Sequence, residues 1–202
     1  MRKSGYLILF ASAGLATWSQ TRAAELPDPH PYEAVHDRAD WTAPDGQRLA
    51  FCLLGARGQR RACALAVYAQ SRSGWARIFL DRDRGAHPWA VRLAELDGDS
   101  LPEVIVGVFK TSRFDPAPRR RVFVFDWTPE GTLFPKWLGS RLGYPFDDFS
   151  VRPGPDGRDR LLTRERPGRG ATIVRSYAWN GFGFDCEGRA ASPASFPGKR
   201  HR

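Results

Sequence analysis

Residues 95–107 read Glu95-Leu-Asp-Gly-Asp-Ser-Leu-Pro-Glu-Val-Ile-Val-Gly107, and their two halves ask for different backbones. Asp97-Gly98 is turn chemistry, because glycine takes a positive φ without a steric cost and an aspartate carboxylate accepts the amide two residues on. Val104-Ile-Val106 is β-branched, suits a pleated strand and is too short for a helix. The stretch therefore predicts a tight turn that feeds a strand. Its four carboxylates, Glu95, Asp97, Asp99 and Glu103, also raise the alternative of a metal loop. Asp-Gly recurs at Asp45-Gly46 and Asp156-Gly157, at intervals near the roughly 40 to 50 residues of propeller blades.

Each Asp-Gly sits in a similar frame. Before it lies an aromatic-led segment: Trp41-Thr-Ala43, Trp89 to Leu93, and Phe146 to Val151. After it comes an apolar strand: Leu49 to Leu54, Glu103 to Gly107, and Arg160 to Thr163. A third segment alternates apolar with polar or small residues, the period of a half-buried strand: Ala62 to Tyr68, Arg121 to Trp127, and Thr172 to Trp179;. A short aromatic segment closes each unit: Gly74 to Phe79, Leu133 to Trp137, and Gly181 to Phe184. Four strands per unit, three units and almost no helical periodicity predict an all-β fold, a β-propeller-like array of about three four-stranded antiparallel blades.

The segment Asp97 to Gly107 resembles the core of FG-GAP or VCBS-type repeats, and Tyr177-Ala-Trp-Asn-Gly-Phe-Gly-Phe184 is similar to the outer hairpin of such a unit. The resemblance is good over roughly 50 residues of the middle unit and faint in the outer two. It implies blades of a β-propeller and an Asp-rich calcium loop. Carried over residue by residue, the calcium ligands fall on Glu95, Asp97, Asp99 and Glu103, a candidate weak calcium site. Ser100 stands where the family has a glycine, and both end ligands are Glu. The alternative is an Asx-type turn at Asp97-Gly98-Asp99 with Glu95 and Glu103 solvated. Propellers usually close with four to eight blades; three units predict an array that is incomplete or completed by self-association.

The ends of the chain carry an address. Arg2 and Lys3 precede an apolar run from Tyr6 to Trp18, and Thr21-Arg-Ala23 offers small residues for cleavage. This predicts a signal peptide over residues 1–23, hence export to the periplasm or beyond. Residues 24–38 read as an extended lead-in, 39–188 as the β domain and 189–202 as a basic flexible tail. The 202-residue chain has a net charge of +9, mildly cationic once the three basic residues of the export segment are removed. Such a balance favours an envelope protein or an anionic glycan or lipid as partner. Scattered basic residues and the lack of a recognisable module exclude nucleic acid. In an oxidising compartment, Cys52 and Cys63 flank a Gly-containing hairpin segment and are expected to form a disulfide, the alternative being three buried thiols. Cys186 is left over.

No nucleophile elbow, CxxC pair, HExxH or phosphate loop occurs, so catalysis has no anchor. Asp147-Asp148 is the adjacent acidic pair that a polysaccharide-acting enzyme would need, but neighbours on a regular strand face opposite ways. His30, His36 and His87 lack the spacing of metal ligands. The segment Lys110 to Arg121 reads as a long loop ending in Arg119, Arg120 and Arg121, a candidate binding loop for carboxylates or phosphates. The expected function is an exported, non-enzymatic binding or scaffolding protein of the bacterial cell envelope. Calcium-dependent adhesion and an envelope enzyme are the alternatives.

Overall fold

A computed structural model of the chain describes residues 33–82, 85–112, 115–128, 130–139, 142–168 and 170–190. The export segment, most of the lead-in and the tail from residue 191 onward lie outside the described residues. Among the described residues, twelve strands form three four-stranded antiparallel sheets in simple meander order. The first holds β1 (Glu33–Thr42), β2 (Arg48–Ala56), β3 (Ala64–Ser71) and β4 (Gly74–Arg82). The second holds β5 (Pro88–Ala94), β6 (Glu103–Ser112), β7 (Asp115–Trp127) and β8 (Leu133–Trp137). The third holds β9 (Phe146–Pro153), β10 (Asp159–Gly168), β11 (Ala171–Trp179) and β12 (Phe184–Arg189). Residues 33–38 of the expected lead-in thus already belong to β1.

The three Asp-Gly pairs make the same device. Each joins the first strand of a sheet to the second, with its glycine at positive φ: 85° at Gly46, 92° at Gly98 and 82° at Gly157. In each the aspartate Oδ1 accepts the amide two residues on, from Gln47 to Asp45 at 2.9 Å, from Asp99 to Asp97 at 3.2 Å and from Arg158 to Asp156 at 3.2 Å. The repetition seen in the sequence is therefore a repetition of backbone geometry.

The second sheet is buried on both faces, which is why its strands read as apolar runs. Successive residues of β6 serve different cores. Val104, Val106 and Val108 pack with Phe51, Leu53 and Val67 of the first sheet. Ile105 packs with Phe149, Leu161 and Tyr177 of the third. Each fully buried side chain of this size contributes about 1.5–3 kcal/mol of transfer free energy.

Packing runs from the first sheet to the second and from the second to the third, and among the described residues no hydrophobic core joins the first to the third. The three four-stranded antiparallel units are as expected, and the propeller is corrected: among the described residues the sheets close no ring and form an open row. The outer faces explain why. On the far side of the first sheet, small buried residues, Ala50, Cys52, Ala64 and Ala66, lie beneath Tyr68 and Trp75, with the Arg38 guanidinium 5.4 Å above the Trp75 ring and paired to Asp40. On the far side of the third sheet, Arg160 is tied to Asp156 and Glu187, and Ser176 donates to Glu187. Charged side chains seal the two ends of the row where a further sheet would have to dock.

The expected disulfide is also corrected. Cys52, Cys63 and Cys186 are free thiols, the first buried and the other two exposed. Cys52 lies opposite Ala66 in β3, whereas the Cys63 amide donates to the Leu54 carbonyl at 2.7 Å, just before β3 begins. The register offsets the two cysteines by about three residues, or ~10 Å along the strand, beyond the ~7 Å Cα separation a disulfide spans. Burial pushes the Cys52 thiol up to about 12.

Candidate functional site

The acidic corner does not gather its four predicted carboxylates around one point. Glu95, Asp97 and Asp99 each bring an oxygen within 4.8 Å of the others, while Glu95 Oε1 accepts the Gly98 amide at 2.6 Å and Asp99 Oδ1 the Leu101 amide at 2.7 Å, so one oxygen of each supports the turn. Ser100, where the family pattern has glycine, has a φ of 69°. Asp97 and Glu103 instead face β8, whose Lys136 Nζ lies 2.5 Å from Asp97 Oδ2, 2.6 Å from Glu103 Oε1 and 2.8 Å from Asp126 Oδ1. Asp126 enters because it is the register partner of Glu103 across β6 and β7. A lysine ammonium thus occupies the centre of three carboxylates, the position a cation would take.

The charges respond to this arrangement. Burial pushes Glu103, 2% exposed, up to about 7, against the pull of Lys136 and of the Leu96 amide, which donates to its second oxygen at 2.7 Å. Burial also works against ionised Asp97, but the Lys136 ammonium outweighs it and holds that carboxyl below its ordinary value. Burial disfavours charged Lys136 as well, yet its three carboxylate partners raise it far above the usual lysine range. Glu95 is raised by burial and by the charges of Asp99 and Asp97.

The other concentration of charge lies in a cleft of about 810 Å³ to which all three sheets contribute. His36 of β1 and Arg60 and Arg61 of the β2–β3 connection come from the first sheet, and His87, Trp89, Phe109 and Arg120 from the second. Asp147, Asp148, Arg164 and Arg166 come from the third. Adjacent Asp147 and Asp148 line the same cleft because the β9–β10 register slips between Arg164, opposite Asp148, and Glu165, opposite Phe146. This bulge re-aims side chains as a regular strand cannot.

Asp147 is held tightly. Arg164 Nε donates to Oδ1 at 2.6 Å, and Arg166 donates to Oδ2 through Nε at 2.9 Å and Nη2 at 2.6 Å. Burial opposes its charge, but the two guanidinium groups outweigh that and keep the carboxyl below its ordinary range. Asp148 Oδ1 accepts the Phe149 amide at 3.0 Å, and its Oδ2 lies 3.7 Å from Arg164.

Arg119, Arg120 and Arg121 lie within β7, paired to Lys110, Phe109 and Val108 of β6, so the expected long loop is the extended end of a hairpin. Their side chains part company there. Arg121 is buried and bonds the Lys110 carbonyl and Asp115, and Arg119 pairs with Asp115 at 3.1 Å. Arg120 lies 4.6 Å over the Trp89 ring and donates to the Asp147 carbonyl.

No protein-family profile, curated protein or solved structure matches the chain.

Two further features of the cleft escaped the sequence. The Nε2 of His36 is buried without a hydrogen-bond partner. His87 adopts a φ of 45° immediately before Pro88, and its carbonyl and that of Ala86 both receive the Phe109 amide. A non-glycine residue at positive φ is strained by about 1–2 kcal/mol, and such strain clusters where side chains serve recognition.

Proposed function

We propose that this chain is an exported, non-enzymatic binding or scaffolding protein of the bacterial cell envelope, an open row of blade-like units resembling FG-GAP or VCBS-type repeats, with the three-sheet cleft as its recognition surface. The observation that carries the reading is the imbalance of that cleft: five arginines, Arg60, Arg61, Arg120, Arg164 and Arg166, against two aspartates. The apolar start of the chain supports export to the periplasm or beyond. An acidic partner, whether an envelope protein or an anionic glycan or lipid, suits the cleft, and self-association remains compatible with it.

Two rival readings are weaker on specific grounds. A glycosidase needs a carboxylic acid that keeps its proton near neutral pH, but Asp147 is held ionised by two arginines, and Glu95 lines no part of the cleft. Calcium-dependent adhesion needs six to eight oxygens around the ion; Lys136 draws Asp97, Glu103 and Asp126 onto its own ammonium, which leaves Glu95 and Asp99, each with one oxygen on a turn amide, as the rest of the acidic group. Affinity capture from envelope extracts, with the native chain beside an Arg60→Glu, Arg61→Glu, Arg120→Glu variant, tests the proposal. A specific companion lost on charge reversal supports it; an identical set of companions from both proteins contradicts it.

A further inference from the structure

Within this cleft the five arginines fall into two groups. Arg164 and Arg166 are tied to Asp147. Arg60 and Arg61, both exposed, make no ion pair among the described residues. Arg120 stacks on Trp89 and bonds a backbone carbonyl, and among the described residues its charge meets no carboxylate. Counting Asp147 and Asp148 against the five guanidinium groups leaves the cleft at +3. One carboxylate leaves such a site markedly positive and, being planar with two oxygens, is already satisfied by two arginines, as Asp147 shows. A phosphate monoester brings about −1.5 to −2 charges and three acceptor oxygens, which suits guanidinium groups approaching from several directions.

Asp147 has a second part to play. It stands on the β-bulge, its carboxylate gripped by two guanidinium groups as an external anion would be. It is an internal stand-in for the ligand, competing for Arg164 and Arg166.

Resting on the reading of the cleft as the recognition surface, we propose that it binds a phosphate-bearing ligand, with Arg60, Arg61 and Arg120 as the open grip and Asp147 as a resident competitor that ligand entry displaces. The phosphate can come from a soluble phosphoester or from a lipid headgroup, and the probes separate the two sources.

The test is calorimetric titration of the full chain with inorganic pyrophosphate, together with co-sedimentation on phosphatidylcholine vesicles with and without phosphatidic acid. Arg120→Ala and the pair Arg60→Ala, Arg61→Ala are each expected to weaken binding about tenfold, and added salt to weaken it further. Asp147→Asn is expected to tighten it several-fold by releasing Arg164 and Arg166. Binding to pyrophosphate identifies a soluble phosphate group as sufficient; the same arginine dependence on phosphatidic-acid vesicles alone identifies the headgroup. No saturable binding to either probe, or binding that the arginine variants leave unchanged, overturns the proposal. Unaltered affinity in a folded Asp147→Asn protein overturns the competitor role, and should that variant fail to fold, the arginine variants decide. Failure here leaves the capture experiment free to succeed, since a protein partner needs no phosphate.

Discussion

Lys136 carries its charge into a corner shared by Asp97, Glu103 and Asp126, and both sides depend on it. Replacing Lys136 with Met strands Glu103 in a buried site beside two like charges, at a cost of about 3 kcal/mol. Thermal denaturation is expected to show that loss, and millimolar calcium to restore part of it in the variant while leaving the native chain unmoved. Glu103, raised to about 7, binds its proton more tightly folded than unfolded. Its contribution is therefore fully present below the ordinary carboxylate value and lost as pH rises through about 7. Without Lys136 that decline is expected to steepen, which unfolding curves collected across this window will show. Ser100 offers a change of opposite sign: with φ at 69°, Ser100→Gly relieves backbone strain and is expected to raise stability by up to about 1 kcal/mol. The acidic turn was legible in the sequence because Asx chemistry is local. Lys136 was not, since a lone lysine in an aromatic five-residue strand gives no sign of which carboxylates the fold will bring to it.

Among the elements, β6 shows how an apolar run serves two cores at once, and Gly107 marks its tightest point. A Cβ there would stand 2.7 Å from Phe149 and 2.7 Å from Trp89, whose rings meet edge to face at 5.4 Å. Gly107→Ala is expected to cost about 1–3 kcal/mol by overpacking, readable as a lower denaturant midpoint. Alternation and turn residues placed most strands near their observed positions, because period and punctuation are written along the chain. The last strand is the instructive exception. Gly181-Phe-Gly183 is the hairpin turn, with Asn180 Oδ1 accepting the Phe182 and Gly183 amides, and β12 starts only at Phe184. The aromatic pattern there belonged to a turn that exposes Phe182 and only then to a strand. The bulge at Asp147 was equally silent in the sequence, since a register slip depends on the neighbouring strand.

For the whole molecule, the row of three sheets ends in charged roofs, the sheets close no propeller ring, and the expected disulfide is not formed. Alkylation of the native protein is expected to modify Cys63 and Cys186 readily, with Cys52 reacting only after unfolding; mass spectrometry of the labelled peptides reads this directly. Protection of Cys63 together with Cys52 until a reductant is added contradicts the register. Three repeats were countable from the Asp-Gly turns, whereas the cleft was not, because it draws on residues from His36 to Arg166 that meet only through the stacking of the sheets. The acidic corner already holds a cation of its own, Lys136, and the arginine cleft is the surface left open to a ligand. Side-by-side calorimetric titration of the native chain with calcium and with pyrophosphate tests that division most directly. No heat is expected with calcium and saturable binding with pyrophosphate; saturable calcium binding with no response to pyrophosphate would overturn this assignment of the two sites.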